Sequence, residues 1–138
     1  MLTGQYVVDA SVLVAIFNAE PELDIFESIL TKGDWIIGWP TVLEVRIWLI
    51  RTRPVRSQIF LNEITSDPSV HLIAFDRPLE ALAGDAYAKF GKGRHPAKLN
   101  YGDCVTYAVA KHHDVPLLFK GADFGHTDVK IHSTSVMI

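Results

Sequence analysis

The fold-deciding stretch of this chain is QYVVDASVLVAIF at residues 5–17, two apolar runs joined at Asp9. The first run is rich in β-branched and aromatic residues, which predicts a buried strand. Ser11 stands directly before the second run and is a good helix N-cap, so the second run is predicted to be a helix. Asp9 then lies at the carboxyl end of a strand, where open α/β sheets form their binding crevice. Asp9 is therefore a candidate site residue, and a shared helix-capping role is its structural alternative.

The rest of the chain alternates between helical and strand patterns. Helical spacing predicts helices over residues 23–30, 41–51, 54–66, 76–90 and 103–112, and short apolar runs predict strands over 35–39, 70–75 and 115–119, with 129–132 as a candidate fifth strand. This alternation predicts βαβ units with right-handed crossovers. The expected fold is an α/β, three-layer α/β/α sandwich around a central, mainly parallel sheet.

Length, charge and cysteine content narrow the class of protein. The 138 residues suit one ordinary domain, expected over residues 1–138. No apolar run approaches the roughly 20 residues that span a bilayer, and no signal-type segment opens the sequence, so we expect a cytoplasmic protein without a membrane anchor. The single cysteine, Cys104, excludes an internal disulfide and disfavours a cysteine-rich zinc site. The formal net charge of −3 argues against wholesale electrostatic binding to nucleic acid, which leaves only a local basic patch.

Acidic residues stand at the positions that such a fold brings to one crevice. They are Asp9, Glu44, Asp103 and Asp123, with Asp128 as a fifth candidate. Clustered carboxylates repel one another, and they stay charged together only when a cation joins them. Because the expected ligands are all oxygen atoms, the favoured ions are Mg²⁺ and Mn²⁺.

Each of these acids also has a structural explanation. Glu44 lies in the nearly all-apolar helix predicted over 41–51, which we expect to be mostly buried, and Arg51 is two turns further on as a salt-bridge partner. Asp103 stands at a helix start, where an acid satisfies free N–H groups. The two later acids lie in a predicted loop, where aspartate is common in turns. The residues alone leave these alternatives open.

Five segments in order resemble one known family. They are VDAS at 8–11, TVLEV at 41–45, GKGRHPAKLNYGDC at 91–104, LLFKGADF at 117–124 and TD at 127–128. The sequence resembles PIN-domain proteins of the VapC toxin type, and the block ending in NYGDC is specific for that group.

The resemblance implies a divalent-metal-dependent endoribonuclease that acts as the toxin of a VapBC-type toxin–antitoxin pair. It implies that the catalytic, metal-binding acids are Asp9, Glu44, Asp103 and Asp123 (Asp128 being the alternative for the fourth), supported by Ser11 and Thr127. The implied cofactor is Mg²⁺, or Mn²⁺. The implied partners are an RNA substrate, a cognate VapB-type antitoxin and a second copy of the chain in a homodimer.

A basic stretch beside Asp103 is the candidate RNA-binding surface. Its members are Lys92, Arg94, His95 and Lys98, and Lys120 joins them from the fourth strand's end. These side chains would hold phosphates on either side of the cut. A solvated loop is the alternative explanation.

Two other classes of protein compete with the nuclease. A receiver-type phosphoacceptor module would use Asp76 and Lys120. It requires paired acids after its first strand, where this chain has only Asp9, and it leaves Glu44 unexplained. A PIN-like domain that binds RNA or a partner without cutting is disfavoured, because no acid is missing.

Overall fold

The computed structural model describes residues 5–52 and 55–138. In chain order, its elements are β1 (Tyr6–Val8), α1 (Ala10–Phe17), α2 (Leu23–Leu30), β2 (Trp35–Gly38), α3 (Trp39–Thr52), α4 (Val55–Ser66), β3 (Val70–Ile73), α5 (Arg77–Phe90), α6 (Tyr101–His113), β4 (Leu117–Leu118), β5 (Lys120–Gly121) and β6 (Val136–Met137), with a 3₁₀ turn at Phe124–His126. The predicted start of α4 at Pro54 lies outside the described residues. Within these ranges, no helix combines the length and the apolar character needed to cross a membrane.

The central sheet is parallel and has the strand order β3-β2-β1-β4. Its side chains alternate between two cores: Val7, Ile36 and Leu117 pack with α5 and α6, whereas Val8, Ile37 and Leu118 pack with α1 to α4. Burial on both faces explains why β1, β2 and β4 are continuously apolar, whereas the edge strand β3 is only partly buried and includes His71. The predicted three-layer α/β/α sandwich is confirmed.

Several boundaries differ from the sequence expectations. Asp9, not Ser11, is the N-cap of α1, and its side chain accepts from the Ser11 amide. Helix α3 begins at Trp39 because Pro40 is tolerated in a first turn, where its missing N–H costs nothing. The candidate strand over 129–132 is reduced to one bridge between Ile131 and Leu117. β5 and β6 instead form a separate two-stranded parallel sheet.

Helix α3 is not mostly buried, so that expectation was wrong. Its buried side chains are Thr41, Val42, Val45 and Leu49. Its other apolar residues, Trp39, Leu43, Ile47 and Ile50, recur at helical spacing and are about half exposed or more. The helix therefore presents one apolar face to the core and a second one to solvent.

Candidate active site

Asp9 occupies the end of β1, as the sequence predicted, and it is only 7% exposed. Its Oδ2 accepts a 2.6 Å hydrogen bond from the Ser11 hydroxyl and a 3.1 Å bond from the Ser11 amide. Burial raises the pKa of Asp9, and the hydrogen bonds from Ser11 partly offset this by favouring the charged form. Asp9 thus caps α1 and is also a buried carboxylate, whose charged form a nearby cation would stabilise.

Asp103 lies in the first turn of α6 and forms a capping box with Asn100. The Asn100 amide donates to Asp103 Oδ2 at 3.1 Å, and the Asp103 amide donates to Asn100 Oδ1 at 2.9 Å. Burial raises the pKa of Asp103 to about 7, and the charges of Asp9, Asp123 and Glu44 add to the rise. Capping and site membership are therefore compatible, because the cap uses one carboxylate oxygen.

Glu44 reaches the same region from α3. Glu44 as a whole is exposed, but partial desolvation of its carboxyl, and then the charge of Asp9, raise the pKa of this group. Its carboxylate packs against Gly102, where an added Cβ would lie 2.5 Å from Glu44 Oε1. Glu44 does not form the alternative salt bridge with Arg51, since the ion pairs within residues 5–52 and 55–138 do not include Glu44.

The structure separates the two candidates for the fourth acid. Asp123 is the N-cap residue of the 3₁₀ turn, but its side chain makes no capping hydrogen bond; it is half-buried and raises the pKa of Asp103 by its charge. Asp128 is exposed and accepts from the Tyr107 hydroxyl at 2.5 Å and from Lys111 Nζ at 3.3 Å. Asp128 is also absent from the charges that act on Asp103. The geometry therefore favours Asp123 as the fourth member of the cluster.

The loop that follows Asp123 is held by the hydroxyl of Thr127. This hydroxyl donates to the Phe124 carbonyl at 2.8 Å and accepts from the Val129 amide at 3.3 Å. Thr127 thus supports the path of the loop rather than an acid directly.

The chemistry of the donors fits a hard divalent cation. The four carboxylates influence one another electrostatically, and two of them are shifted towards the neutral form by this repulsion together with burial. Their side chains stand apart: across the described ranges, no three His, Cys, Asp or Glu groups are close enough to hold one ion. A cation bound among them would offset their mutual repulsion, and carboxylate oxygens are the ligands that Mg²⁺ and Mn²⁺ prefer.

Sequence reasoning missed Thr106, a buried residue beside Asp9. Its hydroxyl lowers the pKa of Asp9, although Oγ1 makes no well-formed hydrogen bond of its own. Thr106 follows Asp103 by three residues on α6, a spacing that puts both side chains on one helix face. That spacing was the signal available in the sequence.

The basic candidates fall into two groups. Lys92, Arg94 and Lys98 are exposed on the loop that leads into α6. His95 is partly buried, accepts from the Ala97 amide at 3.0 Å, and packs edge-on against the Phe90 ring.

Lys120 belongs to β5 and not to this loop. Its Nζ lies 2.6 Å from Glu20 Oε1 and 2.7 Å from Glu22 Oε1. The ammonium group is therefore already neutralised by protein carboxylates.

A parallel α/β sheet, with acids beyond its carboxyl edge whose charges act on one another, defines a class of α/β proteins with a candidate metal site. Within that class, the PIN domain model matches residues 6–130, and the chain belongs to the PIN domain family. This membership leaves the receiver-type alternative without support. Asp76, on which it depended, is the N-cap of α5.

Curated relatives cover most of the chain. It is 34% identical over 140 residues to VapC ribonuclease Mb0640 of Mycobacterium bovis, with 89% of this chain and 95% of the relative covered. It is 36% identical over 140 residues to Ribonuclease VapC of Mycolicibacterium smegmatis, with 89% and 96% covered.

Solved structures agree on the fold. The chain is similar to the Sarcin-Ricin loop cleaving toxin VapC20 of Mycobacterium tuberculosis, with a TM-score of 0.75 at 16% identity over 90% of this chain and 95% of that one. It is also similar to a chain of VapBC2 from Rickettsia felis, with a TM-score of 0.70 at 14% identity over 93% and 97%.

Proposed function

We propose that this protein is a divalent-metal-dependent endoribonuclease and the toxin of a VapBC-type toxin–antitoxin pair. Membership of the PIN domain family and relatives named VapC ribonucleases support the activity. The observation that carries the proposal is the match to the PIN domain over residues 6–130, a range that contains four acids of which Asp9, Glu44 and Asp123, together with burial, raise the pKa of Asp103 to about 7. Such a cluster is unfavourable without a cation and suited to one.

The four acids are the proposed metal ligands, and two neighbouring residues hold them in position. Asp9, Glu44, Asp103 and Asp123 would hold the ion, Mg²⁺ or Mn²⁺. When bound, the ion supplies Lewis-acid polarisation of the phosphodiester and lowers the pKa of a water molecule. Ser11 orients Asp9 through its 2.6 Å hydrogen bond, and Asn100 fixes one oxygen of Asp103.

RNA contact is proposed for the exposed basic loop before α6. Lys92, Arg94 and Lys98 would bind phosphates flanking the cut, which positions the strand without reading its sequence. His95 would add to this surface from its partly buried position. We leave Lys120 out, because its ammonium group is ion paired with Glu20 and Glu22.

Cleavage of end-labelled RNA by the purified protein tests the proposed activity. We expect internal cuts with Mg²⁺ or Mn²⁺, with products carrying 5′-phosphates, and no cuts in excess EDTA. A protein that binds RNA but never cuts it under these conditions would support the non-cleaving alternative. Cuts that persist in EDTA would contradict metal dependence.

The raised pKa of Asp103 gives a pH-dependent prediction. Its pKa is 3.8 as a free group and about 7 in the fold, so between these values the folded state holds more protons than the unfolded state. The contribution of Asp103 to stability therefore falls as pH rises from about 4 to 7. Mg²⁺ should raise the melting temperature more at pH 8 than at pH 5.5, because the ion competes with the proton. Equal shifts at both pH values would contradict this coupling.

A homodimer is proposed through the exposed face of α3. Trp39, Leu43, Ile47 and Ile50 form an apolar strip, and contiguous exposed apolar surface of this kind commonly marks a protein interface. The occupant we propose is the same strip of a second copy, related by two-fold symmetry.

Ile50→Asp should convert the dimer to a monomer, because a charge within an apolar contact is strongly unfavourable. Light scattering coupled to size-exclusion chromatography measures the mass. Ile25→Asp is the matched control, since Ile25 is equally exposed but lies on α2. A wild-type protein that is monomeric, or an Ile50→Asp variant that remains dimeric, would contradict this interface.

A cognate VapB-type antitoxin is the proposed regulatory partner, supported by the solved structures that the chain resembles, which include VapBC2 from Rickettsia felis and a toxin–antitoxin complex from Klebsiella pneumoniae. Such a toxin would act in the cytoplasm, where its RNA substrate is found. Tagging this chain in its native operon should recover the neighbouring gene's product in a stable complex, and mixing the two should suppress RNA cleavage.

A further inference from the structure

Lys120 connects three parts of the chain near the acidic cluster. Its backbone amide donates to Ser11 Oγ at 3.0 Å. Its Nζ contacts Glu20 Oε1 at 2.6 Å and Glu22 Oε1 at 2.7 Å, and both acids belong to the connection between α1 and α2. One residue of β5 is thus anchored through both its backbone and its side chain.

The backbone anchor leads directly to Asp9. Ser11 has one hydroxyl proton, which it donates to Asp9 Oδ2 at 2.6 Å, and its oxygen accepts from the Lys120 amide. The orientation of the hydroxyl is therefore set by β5 and Asp9 together. Asp123 follows Lys120 by three residues, so a shift of β5 would disturb two members of the acidic cluster.

The side-chain anchor is better shielded than an ordinary surface ion pair. The Lys120, Glu20 and Glu22 side chains are 19%, 25% and 18% exposed. Asn18 Nδ2 also donates to Glu20 Oε2 at 3.0 Å, which holds that carboxylate in place. Without the ammonium group, two carboxylates would face each other and repel.

We propose that Lys120, Glu20 and Glu22 form an ionic clamp that fixes β5, and through it the carboxylates of Asp9 and Asp123. Lys120 is in this account a positioning residue and not an RNA contact. The inference rests on the proposed metal-binding role of those two aspartates.

Three variants and a control separate the clamp from a phosphate contact. Lys120→Met removes the cation, whereas the double variant Glu20→Gln with Glu22→Gln keeps the lysine and frees it. Lys120→Arg keeps the charge and should restore wild-type behaviour. Lys130→Met is the matched control, because it breaks the exposed Lys130–Asp114 pair at the other end of α6.

Two measurements on RNA-free protein report on the clamp. Hydrogen exchange of the residue-120 amide, without metal, should become about tenfold faster in Lys120→Met and in the double glutamine variant, because its bond to Ser11 loosens. Calorimetric titration with Mn²⁺ alone should show affinity weakened by about 10-fold or more, as is typical when groups that orient metal ligands are removed. The control should change neither value.

Unchanged exchange at residue 120, or unchanged Mn²⁺ affinity, in both variants would overturn the clamp. A loss of RNA affinity in Lys120→Met that the double glutamine variant does not share would also overturn it, since a freed lysine still reaches phosphate. The exchange readout needs neither metal nor RNA. It therefore tests the ionic clamp even if the wild-type protein binds no Mn²⁺. A wild-type protein that binds no Mn²⁺ would overturn the proposed function instead.

Discussion

Asp9→Asn and Asp103→Asn should each lower metal-dependent RNA cleavage by at least about 100-fold, since a lost metal contact costs several kcal/mol of transition-state stabilisation. Asparagine keeps the shape of the side chain and a carbonyl oxygen for the cap, but it removes the negative charge that the ion requires. The fold should survive, because burial already disfavours the charged form of both groups. Initial rates on labelled RNA and a thermal melt measure the two effects.

Asp128→Asn is the matched control for these substitutions. Its carboxylate accepts from Tyr107 and Lys111 and does not act on Asp103, so its neutralisation should leave the rate within about threefold of wild type. Asp123→Asn should resemble the Asp9 variant. If Asp128→Asn were inactive and Asp123→Asn active, the fourth acid would be Asp128.

Strands β1, β2 and β4 of the central sheet could be predicted because strands buried on both faces are uniformly apolar. Asp9 and Asp123 were recognisable as site candidates because each was predicted to follow a strand of the parallel sheet, and the ends of such strands meet at one edge. In the structure Asp9 follows β1, whereas β5 of the second sheet lies between β4 and Asp123. Asp103 needed only a helix-start pattern. For these residues the local sequence was enough to predict their place in the fold, without knowledge of how side chains pack.

Other features depend on packing, which the sequence did not reveal. The pattern of α3 is apolar on nearly every side, and no periodicity distinguishes a buried face from one left to solvent. The partners of Lys120 lie about a hundred residues earlier in the chain, and an exposed-looking Glu20 gives no local sign of them. The cap at Asp9 was assigned to Ser11 because both residue types cap helices and only the backbone decides between them.

Gly102→Ala should reduce cleavage by about 10- to 100-fold while leaving the fold intact, since small misplacements of catalytic groups have effects of this size. The new Cβ would lie 2.5 Å from Glu44 Oε1 and 2.9 Å from Cδ, so the carboxylate must move. Because a carboxylate ends a flexible side chain, this movement costs little stability. Its consequence is that Glu44 leaves its place beside Asp103.

The Gly84→Ala variant shows what the same substitution does away from the site. An added Cβ at Gly84 has nothing within 4 Å, so within α5 it should raise stability by ~0.5–1 kcal/mol and leave the rate unchanged. A double variant then tests the route: if Gly102 acts through Glu44, Gly102→Ala should add no further loss to Glu44→Gln. Additive losses in the double variant would mean that the methyl group obstructs RNA instead. A fully active Gly102→Ala variant would show that cleavage does not require the Glu44 carboxylate to remain packed against α6.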